Sequence, residues 1–125
     1  MKREVKSAEV PAPIGPYSQA VDVSGVVYCA GQIGANNATG NIEEGVAAQT
    51  SRAISNLEKV LAAAGLSLKD VVKTTVFMAD LAEFPQMNEE YAKRFLPPYP
   101  ARSTVQVTAL PRGSRVEIEA IATKG

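Results

Sequence analysis

Residues 101–122, ARSTVQVTALPRGSRVEIEAIA, contain two alternating stretches separated by a turn at Pro111-Arg112-Gly113. Successive side chains of a β-strand point to opposite faces, so each stretch predicts a strand with two distinct faces. In the first strand one face holds Ser103, Val105, Val107 and Ala109, and the other holds Arg102, Thr104, Gln106 and Thr108. In the second strand one face holds Val116, Ile118, Ala120 and Ala122, and the other holds Glu117, Glu119 and Ile121. The pattern predicts a C-terminal strand hairpin.

Two further strand regions precede this hairpin. The stretch Val71–Met78 is rich in β-branched residues and too short for a typical helix, which predicts a buried strand. Residues 18–23 and 26–33 are also rich in strand-forming residues, and they flank the dipeptide Ser24-Gly25. A two-residue linkage of this type predicts a β-hairpin.

Helical periodicity separates these strands. Apolar residues follow helical spacing from Val46 to Ala64, and Gly65 supplies a left-handed stop. Asn41 with Glu44 resembles a capping box, so the helix should begin there or a few residues later. Pro85 predicts the first turn of a second helix. An apolar stripe then runs along that helix through Phe84, Met87, Tyr91 and Phe95, and Pro97 ends it.

The order of these elements favours an α+β fold with two helices on one face of a mixed sheet. The other face of the sheet would carry Arg102, Thr104, Gln106, Glu117 and Glu119 among apolar residues. Such a face is either solvated or buried against sister subunits with its charges paired. Periodicity alone does not choose between these two interpretations.

Composition limits the domain count, the chemistry and the partners. A chain of 125 residues has room for a single domain, residues 1–125. Thirteen basic and thirteen acidic residues give no net charge, so nucleic acid is not expected as a partner. No histidine is present, which removes imidazole bases and histidine-ligated metals.

The cellular compartment is predicted from the cysteine count and the N-terminus. Cys29 is the only cysteine and cannot form an internal disulfide, which fits a reducing compartment. The charged N-terminal residues do not form a signal peptide, and no apolar run is long enough to span a membrane. We therefore expect a cytoplasmic protein without a membrane partner.

Several motifs occur together and in order along nearly the whole chain. They are Ile14-Gly15-Pro16-Tyr17, Gly31-Gln32-Ile33, Ala63-Ala64-Gly65-Leu66, Val72-Lys73-Thr74-Thr75-Val76-Phe77, Pro100-Ala101-Arg102-Ser103 and Val116-Glu117-Ile118-Glu119-Ala120-Ile121-Ala122. Together they resemble the reactive intermediate deaminase (RidA, older name YjgF) family. The block 100–103 is the most specific of them.

The resemblance implies a chorismate-mutase-like α+β subunit that forms a homotrimer, with ligand clefts between neighbouring subunits. It also implies hydrolysis of small 2-imino acids, such as 2-iminobutanoate and 2-iminopropanoate, or their enamine tautomers. The products are 2-oxo acids and ammonia. No metal or organic cofactor is implied.

The resemblance also assigns site residues. Arg102 would bind the substrate carboxylate, a task that suits the planar donors of a guanidinium. Glu117 would position or deprotonate the attacking water. Tyr17 would close the cleft, and Asn88 and the backbone at Gly31 would line it. Where many members have a cysteine, this chain has Thr104, so a thiol nucleophile is excluded there, although Thr104 can still donate a hydrogen bond to the substrate.

Alternatives to these assignments stay open at the level of the sequence. If Arg102 and Glu117 lie on adjacent strands with the same facing, a plain cross-strand ion pair would explain both. Tyr17 alone would be a packed aromatic residue, and Asn88 alone a solvated helix residue. A carboxylate-binding regulatory or chaperone-like protein could use the same cleft. Cleavage of RNA is a third possibility, disfavoured by the zero net charge and the absence of histidine.

Overall fold

The computed structural model describes all residues from Met1 to Gly125 and contains six strands and two α-helices. The elements, in chain order, are β1 (Lys2–Val5), β2 (Ala20–Val23), β3 (Val26–Ile33), α1 (Gly45–Ala63), β4 (Val71–Met78), α2 (Phe84–Arg94), β5 (Ala101–Gln106) and β6 (Val116–Thr123). The strands form one mixed sheet in the order β1-β2-β3-β6-β4-β5. Only β4 and β5 run parallel.

Both helices pack on the same face of the sheet, which confirms the predicted α+β architecture. Helix α1 buries an apolar stripe of Ala53, Ile54, Leu57, Val60 and Leu61, and α2 buries Met87 and Tyr91. These side chains join the buried residues of the strands in one hydrophobic cluster. No helix combines the length and the apolar character that crossing a membrane would require.

The predicted limits of α1 are confirmed, but its predicted N-terminal cap is wrong. Gly65 has a φ of +77° and its N–H donates to the carbonyl of Ala62, so the left-handed stop is confirmed. The capping box at Asn41 is wrong, since the helix begins at Gly45 and Glu44 makes no side-chain cap. The carbonyl of Asn41 instead accepts a hydrogen bond from the backbone of Asn36, which holds this segment outside the helix.

The N-terminal hairpin is confirmed, and both residues of its turn, Ser24 and Gly25, have positive φ angles. The C-terminal hairpin is wrong, because β4 lies between β5 and β6. Strand β5 also ends at Gln106, earlier than the alternation predicted. Strand β1 was not predicted, since three of its four side chains are exposed and it carries only one buried apolar residue, Val5.

The sheet therefore has a helix face and an open face. The helix face of β4 contains Thr74 and Val76, which are fully buried, whereas Phe77 lies on the open face. Thr74 is the register partner of Arg102, and Phe77 is the partner of Glu117. Because register partners on neighbouring strands share a face, Arg102 lies on the helix face and Glu117 on the open face.

This placement corrects the prediction that Arg102, Thr104 and Gln106 share the outer face with Glu117 and Glu119. The reason is that β5, an edge strand, turns its polar residues towards the helices and its apolar residues towards the open face, the reverse of what its apolar–polar alternation predicted. Val105, the apolar residue of its alternation, lies on the open face and is 42% exposed. Other apolar residues of the open face, including Tyr28 and Phe77, are exposed or half-buried.

Candidate active site

The predicted site residues lie in two separate recesses. The first, which we call the Arg102 recess, has a volume of about 420 Å³ and is formed between α2 and the start of β5. Its lining residues are Asn88, Tyr91, Ala92, Tyr99, Pro100 and Arg102. Helix α2 presents Asn88 and Tyr91 one turn apart on the same side, and the segment before β5 adds the two remaining walls. Two of the predicted residues, Asn88 and Arg102, are thus brought together.

Arg102 is the charged group of this recess, and it forms no ion pair within the chain. The other half-buried arginines are paired with carboxylates, as in Arg52–Glu43 at 2.9 Å and Arg115–Glu83 at 2.8 Å. The guanidinium carbon of Arg102 lies instead 4.6 Å from the ring centroid of Tyr91 and 5.5 Å from that of Phe84. Its hydrogen-bond donors therefore stay free for an anionic ligand.

The second recess, which we call the Glu117 recess, lies on the open face and has a volume of about 180 Å³. The proline-rich segment before β2, the end of β3 and the turn before β6 form its walls. Its lining residues are Pro11, Ala12, Ile14, Tyr17, Gln19, Gly31, Gln32, Ile33, Ala35, Pro111, Arg112 and Glu117. Tyr17, Gly31 and Glu117, three of the predicted residues, meet here.

A buried glutamine anchors the segment that carries Tyr17. Gln19 is 3% exposed, and its amide nitrogen donates to the carbonyls of Ser7 and Pro11. Its amide oxygen accepts a bond of 2.7 Å from the backbone of Ser7. These bonds hold the extended segment against the sheet, while the Tyr17 ring itself stays 55% exposed at the rim of the recess.

The Glu117 carboxyl group has the properties of a proton acceptor. Burial raises the pKa of Glu117, and the nearby negative charge of Glu119 raises it further. No basic side chain of the chain pairs with Glu117, so nothing offsets these effects. A carboxyl group with a raised pKa in a recess is suited to general acid–base chemistry.

The carboxyl group of Glu117 occupies space that any side chain at position 31 would fill. A Cβ placed on Gly31 would lie 2.8 Å from both Cδ and Oε2 of Glu117. Strand β3 has an irregular register between Cys29 and Gln32, which brings the backbone of Gly31 towards β6. Glycine is thus the residue that admits the carboxylate here.

Arg102 and Glu117 do not meet within one chain, so the predicted cross-strand pair is wrong. Strand β4 separates their strands, and their side chains leave opposite faces of the sheet. Thr104 lies on the same face of β5 as Arg102, beside Val76, but does not line the recess. The sequence also missed Phe84 and Tyr91 as neighbours of Arg102, since their helical spacing indicated only core packing.

Arg112 is a second residue of the Glu117 recess that the sequence analysis did not single out. It has a φ of +56°, and its guanidinium donates to the carbonyl of Gly40 at 3.0 Å. Its position next to Gly113 indicated only a turn. The sequence could have indicated this position, because Arg112 is only five residues before Glu117. A turn directly before a strand lies at the same end of the sheet as the first residues of that strand.

The fold and the two recesses define an α+β protein suited to a small ligand with an anionic group and an electrophilic centre. The family model described as Endoribonuclease L-PSP matches residues 7–124. The chain belongs to this family, which includes the reactive intermediate deaminases of the RidA type. The predicted family resemblance is therefore confirmed.

Known relatives cover the whole chain. The human protein named 2-iminobutanoate/2-iminopropanoate deaminase is 45% identical, over 100% of this chain and 92% of its own. A solved structure of a putative endoribonuclease from Thermotoga maritima is 46% identical and superimposes with a TM-score of 0.95, covering 100% and 99% of the two chains. The structure of E. coli TdcF with bound serine is 38% identical, with a TM-score of 0.91 and coverage of 98% and 99%.

Proposed function

We propose that the protein is a 2-iminobutanoate/2-iminopropanoate deaminase, an enzyme that hydrolyses small 2-imino acids or their enamine tautomers to 2-oxo acids and ammonia. The observation that carries this proposal is the full-length similarity to a human protein of that name. The chemistry of the site agrees with it. An unpaired guanidinium suits the substrate carboxylate, and a carboxyl group of raised pKa suits the attacking water.

The proposal includes a homotrimer of single-domain, chorismate-mutase-like subunits. Two observations support an assembly. The recesses of one chain lie on opposite faces of its sheet, so Arg102 and Glu117 of one chain cannot act on the same ligand. The open face also exposes apolar side chains such as Tyr28 and Val105. A heterologous contact that joins the Arg102 recess of one copy to the Glu117 recess of the next closes into a ring, and the family resemblance gives three copies.

Substrate binding is assigned to the Arg102 recess. Its guanidinium donates two parallel hydrogen bonds to the 2-imino acid carboxylate, which fixes the orientation of C2. Asn88, one wall of the same recess, contacts the bound ligand. Serine, the ligand in the TdcF structure, carries a carboxylate of this kind. Thr104 follows Arg102 on the same side of β5 but lies outside the lining of this recess, so its hydroxyl is not assigned to that carboxylate.

The hydrolytic step is assigned to Glu117 of the neighbouring copy. Its carboxylate accepts a proton from water as the water oxygen forms a bond to C2 of the protonated imine. The proton then passes to the amine nitrogen of the tetrahedral intermediate. The C2–N bond breaks and its electron pair leaves with ammonia, and loss of the hydroxyl proton gives the 2-oxo acid. Tyr17 closes the cleft, and the backbone at Gly31 lines it.

A direct assay tests the proposed reaction. A serine/threonine dehydratase generates 2-aminoacrylate or 2-iminobutanoate in situ, and semicarbazide traps whatever imine remains. Wild-type protein should accelerate loss of the imine, whereas Arg102→Ala and Glu117→Gln should not. Arg3→Ala is the matched control, because the Arg3 side chain is 75% exposed on the edge strand β1. No acceleration by wild type would favour a carboxylate-binding regulatory role, and cleavage of added RNA would favour a nuclease.

Mixing the two inactive variants tests the split site. If Arg102 and Glu117 of one site come from two copies, refolding an equimolar mixture should restore about a quarter of wild-type activity by random pairing. A mixture that stays inactive would contradict a site shared between copies. Light scattering should give three times the 13.2 kDa mass of the chain.

A further inference from the structure

The guanidinium of Arg102 is held in an unusual way. Arg102 forms no ion pair with a carboxylate of the chain. It lies on β5, an edge strand that pairs with β4 only. Its contacts are two aromatic rings of α2, with centroids at 4.6 Å for Tyr91 and 5.5 Å for Phe84. Stacking on the ring face leaves the in-plane N–H groups of a guanidinium free, whereas an ion pair would occupy them.

Tyr91, the nearer ring, is itself fixed in place. Its hydroxyl lies 2.7 Å from Oγ1 of Thr74, and its ring stacks on Phe95 with centroids 4.5 Å apart. Tyr91 is 5% exposed and Thr74 is fully buried. Burial raises the pKa of Tyr91 by more than its hydrogen bond with Thr74 and the charge of Arg102 lower it, so the ring is neutral at physiological pH.

Thr74, which anchors the Tyr91 ring, lies opposite Arg102, the residue that the ring contacts. Thr74 on β4 is the direct partner of Arg102 on β5. The hydrogen bond between Thr74 and Tyr91 therefore ties α2 to the same pair of strands from which Arg102 emerges. A shift of α2 along the sheet would break this bond, so the distance between the ring and the guanidinium is fixed by the sheet itself.

We propose that Tyr91, anchored by Thr74, is a positioning residue that fixes the guanidinium of Arg102 for binding the substrate carboxylate. This inference rests on the proposed function, because it takes Arg102 as the carboxylate-binding group. It assigns a role in substrate affinity to a residue whose helical spacing indicated only core packing. The hydroxyl positions the ring, and the ring positions the cation.

Substitutions at three positions test the proposal. Tyr91→Leu keeps an apolar side chain but removes the ring, and should raise both the Kd for 2-oxobutanoate and the KM about tenfold, with kcat within about twofold. Tyr91→Phe keeps the ring but loses the anchoring hydroxyl, and should raise Kd and KM by about threefold, clearly above wild type and below Tyr91→Leu. Thr74→Val removes the anchor without exposing a cavity and should behave like Tyr91→Phe. Met87→Leu is the control, since Met87 is fully buried on the same helix.

The outcomes are separable. A wild-type Kd in Tyr91→Leu, at a thermal stability equal to that of Met87→Leu, would overturn the positioning role. If Tyr91→Leu does not fold, a wild-type Kd and KM in both Tyr91→Phe and Thr74→Val would overturn the role of the anchor. Arg102→Ala is measured in parallel by calorimetry. Unchanged binding in that variant would refute Arg102 as the carboxylate group, and the proposed function would fail at that step independently of Tyr91.

Discussion

Gly31→Ala should reduce catalysis while leaving the fold nearly as stable as in the wild type. The added Cβ would lie 2.8 Å from Cδ of Glu117, whereas carbon atoms in favourable contact are about 3.5–4.0 Å apart. The carboxyl group must therefore retreat by about 0.7 Å or more. Cγ of Glu117 would lie 2.9 Å from the added Cβ as well, so the whole side chain must rotate about its Cα–Cβ bond, which its half-exposed position allows.

A displacement of this size has a large effect on rate and a small effect on stability. Misplacing a reacting group by about 1 Å costs about 100-fold in rate, so kcat/KM should fall by about 10- to 100-fold. The free energy of unfolding should change by less than about 1 kcal/mol, because alanine also restricts the unfolded chain relative to glycine. Affinity for 2-oxobutanoate should persist, since the Arg102 recess is untouched.

Gly34→Ala provides the contrast. A Cβ at Gly34 would lie 2.6 Å from the backbone Cα of Gln49 in α1, which cannot rotate away. That variant should lose about 1–3 kcal/mol of stability by forcing the helix off the sheet. Urea unfolding and the semicarbazide assay are run on both proteins. Wild-type activity in Gly31→Ala, or activity lost only in proportion to stability, would refute the argument.

Four further predictions concern the charged groups and the thiol. Because burial and then Glu119 raise the pKa of Glu117, activity should rise with pH through that raised pKa, and Glu119→Gln should shift the acid limb of kcat/KM to lower pH. A raised pKa means that ionised Glu117 destabilises the fold, so Glu117→Gln should melt higher than wild type near about pH 7 while being inactive. Burial raises the pKa of Cys29 to about 12, so a thiol reagent should modify it only after unfolding. The hydrogen bond from Lys124 holds the pKa of Asp22 below its usual value, so Asp22→Asn should be less stable than wild type above about pH 4, and urea unfolding should show the difference vanish at lower pH.

Local features of the fold were predictable from the sequence because their causes are local. The strand Val71–Met78 has the predicted limits, since β-branched residues favour extended backbone and polar segments flank them. The turn at Ser24-Gly25 and the stop at Gly65 depend on left-handed backbone, which glycine adopts without strain. These elements need no knowledge of distant neighbours.

Sheet order and strand facing were not predictable in the same way. Alternation fixes which side chains of one strand share a face, but it does not say which face meets the helices. In β5 the apolar Val105 points away from the helices while Arg102 points towards them. A rule that places apolar residues inward fails on such a strand, because the open face carries apolar side chains of its own.

Because the sequence does not fix the facing of strands, it predicted the residues of the site but not their arrangement. The family motifs identified Arg102, Glu117 and Gly31 as residues, but no motif states that the first belongs to one recess and the other two to another. The sheet lies between Arg102 and Glu117, so no side-chain rotation within one chain can join them. In the proposed assembly, turnover therefore requires contact between folded copies, and dilution that separates the copies should abolish activity even where each chain keeps its fold.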